Sequence, residues 1–208
     1  RDTMLSLSFA VSGFAGQSAG HALRTSSVQM VKSASLPFLE APPQLDGSMA
    51  GDVGFDPLNL SGMFSLEYMR EAELKHGRIC QLAAFGYAAV DNGFTALGAP
   101  KVSSLEAHDI TVKSGHMLLL LFIIAMVEAP SYTAIHEMMS GQSDRKPGDL
   151  GIPYKFCKPG DEATMKKYQL AEITHCRAAM MGFSGMVTAS AATGAPFPYI
   201  GDAFSGAF

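Results

Sequence analysis

Eleven apolar residues follow one another without a break from Met117 to Val127. On either side lie two longer stretches in which apolar and polar positions alternate with helical spacing. The first, LEYMREAELKHGRICQLAAFGYAAV, can be capped by Ser61 or Ser65 and stops at Asn92-Gly93, a helix-ending pair. The other runs from Asp161 to Ala192 and stops before Gly194 and Pro196. Pro and Gly punctuate the intervening segments 36–60, 94–107 and 141–160. The pattern predicts three helices, at about 62–92, 108–139 and 161–193, with Pro130 kinking or weakening the second.

None of the three contains the roughly 18 uninterrupted apolar residues of a simple membrane span. The first and third carry charges at mid-helix, which in a bilayer are rare and functional unless paired. Composition nevertheless favours a membrane. Apolar residues make up 48% and charged residues 16% of the 208, with a mean hydropathy of +0.16, against about 25% charge in a soluble domain. The expected fold is an all-α membrane protein with three transmembrane helices. Nine Lys/Arg lie in the N-terminal segment, the connection after the second helix and the start of the third (Lys166, Lys167), against Lys101 and Lys113 on the other side. This bias puts the N-terminus on the positive side.

Net charge of −4 without a basic run gives no reason to expect nucleic acid. Cys80, Cys157 and Cys176 form no CxxC pair, which argues against a disulfide framework or zinc site and for small buried hydrophobes. Between Thr3 and Ser35 there is no acidic residue, so residues 1–30 read as a targeting remnant or a disordered N-terminus. Residues 31–208 form the three-helix domain.

The two outer helices share a repeat. AELKHGR (72–78) and AEITHCR (171–177) align at an offset of 99, pairing Glu73 with Glu172, His76 with His175 and Arg78 with Arg177. The loops GDVGFDP (51–57) and GDLGIPY (148–154) echo each other ahead of each helix. Such duplication predicts that the first and third helices are related by a pseudo-two-fold axis and cross. Gly77, Ala83, Ala84 and Gly86 on one, with Ala178, Ala179, Gly182 and Gly185 on the other, would permit close approach.

At about 100° per residue, Glu and His of the motif sit about 60° apart, and Arg lies roughly 160° from His on Glu's other side. Arg78 can then reach Glu172 and Arg177 can reach Glu73, cancelling charges that would cost about 2.5–3.5 kcal/mol each at the centre of a bilayer. Bidentate Arg–carboxylate bonding also fixes the geometry. What remains outward is a carboxylate lone pair and an imidazole nitrogen. In lipid, these suit the open axial position of a chlorophyll magnesium, a hard cation that takes oxygen and accepts nitrogen.

ELKHGR (73–78), EITHCR (172–177), GDVGFDPL (51–58) and the three-span layout resemble the chlorophyll a/b- and a/c-binding light-harvesting proteins over about residues 40–195. The absence of Trp, the sequence PPQLDGSMAGDVGFDPL and the compact length look nearer to the chlorophyll a/c branch, which carries fucoxanthin or peridinin. The resemblance implies that Glu73, Glu172 and His76 ligate chlorophyll, with Arg78 and Arg177 as structural ion pairs. His175 stands where the family usually has Asn, an equally good ligand. Glu128 looks like the acidic ligand of the middle helix, and the GDxG loops would flank carotenoid ends. His116 has no family counterpart and is carried as a further candidate ligand, whereas His108 and His136 read as interfacial. Ala189 and Val90 depart from the pattern, since the family often offers a ligand late in these helices. The implied cofactors are chlorophyll a, chlorophyll c and carotenoids of the fucoxanthin or peridinin type, with diadinoxanthin as another candidate. The implied partners are a photosystem I or II core, other antenna subunits and thylakoid lipids. The implied setting is the chloroplast thylakoid membrane, crossed several times, with a stromal N-terminus.

On this reading the protein absorbs light, passes excitation to a photosystem and catalyses nothing. A photoprotective, quenching member of the same family shares every feature above. A more remote reading is a di-iron carboxylate enzyme, because Glu-x-x-His on two helices is part of that signature. Arg two residues after each His, three helices instead of four and the apolar composition count against iron.

Overall fold

The structure is a computed structural model that describes residues 32–95, 101–150 and 162–199. The expected targeting segment at 1–30, Cys157 and the second half of the second GDxG loop lie outside the described residues. Within them the chain is helical. A 3-10 turn at Leu60–Gly62 precedes α1 (Leu66–Asp91), α2 (Ser104–Lys113), α3 (His116–Met139) and α4 (Glu162–Thr193). No strand occurs among the described residues, only an isolated bridge between Lys32 and Glu40.

The chain stops and starts follow local chemistry. Asp56 organises the approach to α1: its Oδ1 accepts from the Leu60 amide at 2.9 Å, and its Oδ2 from the Ser61 amide and hydroxyl at 2.8 and 2.6 Å. Burial pushes the Asp56 carboxyl up, but the hydrogen bonds from Ser61, Leu60 and Asn59 outweigh it and hold the group below its ordinary value of 3.8. Ser65 then caps α1, accepting from the Tyr68 amide. Gly93, at φ +87°, follows the end of that helix.

The middle helix differs from expectation. The predicted single element at 108–139 is two helices, parted at Ser114-Gly115. Gly115 adopts φ +81°, donates to Val112 O to close α2 and stands as N-cap of α3. Lys113, Ser114, Gly115 and His116 interrupt the apolar positions here, but helix-forming sequence lies on both sides, so periodicity alone does not mark the break. The start also moves four residues earlier, because Ser103 caps α2 and the Ser104 amide donates to Asp91 Oδ1 at 2.8 Å. The helix assignment continues across Pro130. Of the described helices, α3 alone is long and apolar enough to cross a membrane by length and composition, with a mean hydropathy of 2.0 and none of that window buried within the protein.

The principal packing is α1 against α4. Its centre is small and repeats the sequence symmetry: Leu74, Ile173 and Cys176 are buried around Gly77. A Cβ on Gly77 would overlap the Cβ, sulfur and Cα of Cys176. Each loop glycine docks on the opposite helix. Gly51 (φ +74°) lies against Ile173 and Arg177, and Gly148 (φ +83°) against Leu74 and Arg78. Gly86, Gly182 and Gly185, expected at the close approach, have nothing within 4 Å of a Cβ and face open space. They sit two to three turns beyond Gly77 and Cys176, where the helices no longer touch at those faces. At that far end Tyr87 packs edge-on against Phe183 at 6.0 Å and meets Tyr199 at 5.8 Å, which brings the end of the described chain back onto α1.

Two outcomes follow. Gly77→Ala should lower stability by about 1–3 kcal/mol through overpacking, read as a fall in Tm of pigment-reconstituted protein, and Cys176→Gly in the same chain should recover part of the loss. Asp56→Ala should cost about 1 kcal/mol through the lost caps. Because the Asp56 carboxyl is held below 3.8, its contribution is present at neutral pH and lost only as pH falls through that lowered value. An acid titration of Tm should therefore differ between wild type and variant above that pH and converge below it.

Candidate functional site

Both motif arginines sit in the same kind of cage. Arg78 of α1 donates through Nε to Glu172 Oε1 at 2.9 Å and through a terminal nitrogen to the same oxygen at 2.7 Å. It also donates to Gly148 O at 2.8 Å. Arg177 of α4 donates through Nε to Glu73 Oε1 at 2.7 Å and through NH1 to Gly51 O at 2.8 Å. Each guanidinium therefore joins three segments: its own helix, a carboxylate of the other helix, and the glycine of the loop preceding that other helix. Positive φ at both glycines turns those carbonyls inward, which a side chain would obstruct against Ile173 or Leu74.

The two cages are not identical. Glu73 Oε2 also receives Arg70 at 3.2 Å, one turn back on the same helix. Among the described residues no such second cation reaches Glu172, whose Oε2 is left clear of protein donors. The His residues are alike. His76 Nδ1 lies 2.8 Å from Ala72 O and His175 Nδ1 lies 2.7 Å from Ala171 O. A bond to a carbonyl requires Nδ1 to carry the proton, so Nε2 holds the lone pair. Both rings are exposed. Imidazoles oriented in this way by a backbone acceptor are prepared for a metal at the other nitrogen.

The remaining candidates are dispersed. Glu128 lies on α3, and its Oε2 meets Lys75 Nζ of α1 at 2.6 Å. His116 is the first residue of α3, with Nδ1 2.7 Å from Ser114 Oγ. The structure thus brings Glu73, Arg78, Glu172 and Arg177 together, sets His76 and His175 on outer faces, and leaves Glu128 and His116 at different heights of α3. Of the two histidines read as interfacial, His108 pairs with Asp109 at 3.1 Å, and His136 shares a groove between α1 and α3 with His76, Tyr68 and Tyr132.

Sequence reasoning passed over a second ionic lock. Glu71 is 1% exposed, accepts from Arg145 at 3.0 Å and from the Gly148 amide. Arg145 in turn donates to Asp149 O at 2.6 Å. Gly148 is thus held through both of its backbone polar groups, by Glu71 at N–H and by Arg78 at C=O. The available signal was spacing: Glu71, Leu74 and Arg78 fall at i, i+3 and i+7 on one face. Its counterpart at offset 99 is Leu170, so attention to the repeat hid it.

A di-iron reading needs carboxylates converging with histidine. Among the described residues no three His, Cys, Asp or Glu side chains are placed to hold a metal ion together. The motif carboxylates face guanidinium groups instead. Outward imidazoles stand singly on helices whose motif carboxylates are already paired with guanidinium groups.

Comparison with known proteins agrees. The family described as Chlorophyll A-B binding protein matches residues 41–191. The chain is 30% identical over 191 residues to chlorophyll a-b binding protein 4 of Arabidopsis thaliana, covering 85% of this chain and 76% of that protein. It is 30% identical over 144 residues to a fucoxanthin-chlorophyll a-c binding protein of Chattonella marina var. antiqua, covering 67% and 65% respectively. A photosystem I chlorophyll a/b-binding protein of Arabidopsis thaliana is 43% identical over 65 residues, 31% of this chain and 25% of that one. The chain belongs to the chlorophyll a-b binding protein family. It is a light-harvesting antenna protein, and not an enzyme.

The unequal cages make a prediction. Arg78→Leu strands the Glu172 carboxylate and should cost about 3–5 kcal/mol. Arg177→Leu leaves Glu73 still paired with Arg70 and should cost less. Thermal melts of the two reconstituted variants should rank in that order, and equal losses would contradict the asymmetry.

Proposed function

We propose that α1, α3 and α4 are three membrane-spanning helices, with α1 and α4 crossed about a pseudo-two-fold axis, and that their outer faces hold chlorophyll by single axial ligands. Glu73, His76, Glu128, Glu172, His175 and His116 are those ligands. The observation that carries the reading is the shared state of His76 and His175. Each donates Nδ1–H to the carbonyl four residues back and turns Nε2 outward from an exposed face. The donor set fits magnesium in a macrocycle, since each ligand is one oxygen or nitrogen and every motif carboxylate is already neutralised by Arg. Bound chlorophyll supplies the absorption of light and the transfer of excitation. The chain supplies position: ion-paired helices and hydrogen-bonded ligands that fix spacing and orientation.

The pigments are chlorophyll a and chlorophyll c with a fucoxanthin- or peridinin-type carotenoid, diadinoxanthin being a further candidate. The fucoxanthin-chlorophyll a-c relative supports this assignment. The protein sits in the chloroplast thylakoid membrane with its N-terminus in the stroma, beside a photosystem I or II core and other antenna subunits. The basic bias of residues around 145–167 and the photosystem I relative support that placement.

Reconstitution of the full chain with a chlorophyll a, chlorophyll c and carotenoid extract tests the reading. His76→Leu and His175→Leu should each bind one chlorophyll fewer than wild type, with a smaller fall in Tm than Arg78→Leu. Unchanged chlorophyll-to-protein ratios in both variants would remove imidazole ligation from the reading.

A further inference from the structure

Between Ser114 and His136, Glu128 is the only Asp, Glu, Lys or Arg. It stands on the helix that the protein itself leaves unburied. Its partner comes from another helix: Lys75 Nζ of α1, 2.6 Å from Oε2, with the lysine 22% and the carboxylate 50% exposed. Among the described residues this is the one ion pair between α1 and α3. No protein hydrogen bond is found to Glu128 Oε1 there.

Lys75 is also where the repeat breaks. Its counterpart at offset 99 is Thr174, whose hydroxyl bonds back to Leu170 O and Ala171 O of its own helix at 3.0 and 2.9 Å. Among the described residues α3 packs on α1 and not on α4, and α1 carries the cation. The arrangement has the form already seen twice. Glu172 is neutralised by Arg78 and Glu73 by Arg177, each a cation from a different helix. Glu128 with Lys75 makes a third such pair. A carboxylate neutralised through one oxygen can offer the other to a metal without stranding net charge in lipid.

We propose that Lys75 is a positioning residue for this ligand: its ammonium neutralises Glu128 across the α1–α3 groove and turns Oε1 outward as the axial ligand of a chlorophyll magnesium. The inference rests on the ligand assignment of Glu128 made above and adds the residue on which that assignment depends. It also explains a lysine beside His76, in the middle of a helix, where nothing in the duplicated motif requires one.

The test is reconstitution of the full chain with chlorophyll a, chlorophyll c and carotenoid, counting chlorophylls per protein and taking absorption difference spectra against wild type. Lys75→Met should lose one chlorophyll, together with the red band that Glu128→Ala removes. Lys75→Arg should keep both. Glu128→Gln, with a neutral amide oxygen, needs no counter-charge, so Lys75→Met/Glu128→Gln should hold as many chlorophylls as Glu128→Gln alone. That comparison stands even if Lys75→Met by itself does not fold. A double variant one chlorophyll short of Glu128→Gln would make Lys75 a simple helix tie and overturn the proposal. Full pigment content in Glu128→Ala would overturn it at the ligand. His76→Leu and His175→Leu would still each lose one chlorophyll in that case, which separates this failure from failure of the pigment reading as a whole.

Discussion

Two guanidinium groups hold this fold in register. Each is shared between a carboxylate of the opposite helix and a glycine carbonyl of the loop that leads into that helix. Remove either and three segments lose their common point. A planar guanidinium that donates to a carboxylate and a carbonyl at once has direction as well as strength, so the cages set the rotation of α1 and α4 about their own axes. That rotation decides which side chains look inward, Leu74, Gly77, Ile173 and Cys176, and which look outward, His76 and His175. The outward positions of the two imidazoles are thus a by-product of the ion pairs.

Much of this was legible in the chain because helical geometry is rigid. Glu, His and Arg at 73, 76 and 78 have fixed angular relations once a helix is granted, and the duplication at 99 residues supplies the partner. The division of the motif between a facing Arg and an outward His needs no further information. The all-helical architecture was legible for the same reason, from period and punctuation. The break at Ser114-Gly115 was not, since a glycine in a short polar stretch between helical patterns does not reveal whether it adopts positive φ. Nor were Gly86, Gly182 and Gly185 placed well: small residues permit contact between helices but do not cause it, and these point to open space while their neighbours Tyr87 and Phe183 make the contact. Glu71 was overlooked because a buried carboxylate is recognised by its partners, and Arg145 lies 74 residues away in a loop. Lys75 likewise looks like one more solvated charge until α3 is set beside it.

The repeat is also informative where it fails. Glu71 matches Leu170, Lys75 matches Thr174, Arg70 matches Gln169, and Gly77 matches Cys176. Glu71 and Lys75 bond to the loop after α3 and to α3 itself, Arg70 adds a second cation to Glu73 of its own helix, and Gly77 and Cys176 meet where both cannot be large. Among the described residues, one of the two duplicated helices has been specialised to receive α3 and the loop after it. The symmetric core was left almost untouched.

The interior of the protein is scant. Among the described residues the buried hydrophobic side chains are Leu74, Met138, Ile173, Cys176 and Tyr199, while large apolar side chains along all of α3 stay uncovered. A chain that buries so little of its own surface cannot reach its folded state on side-chain packing alone. Lipid and any ligand that covers these faces favour the folded state, so their concentration becomes a term in the folding equilibrium.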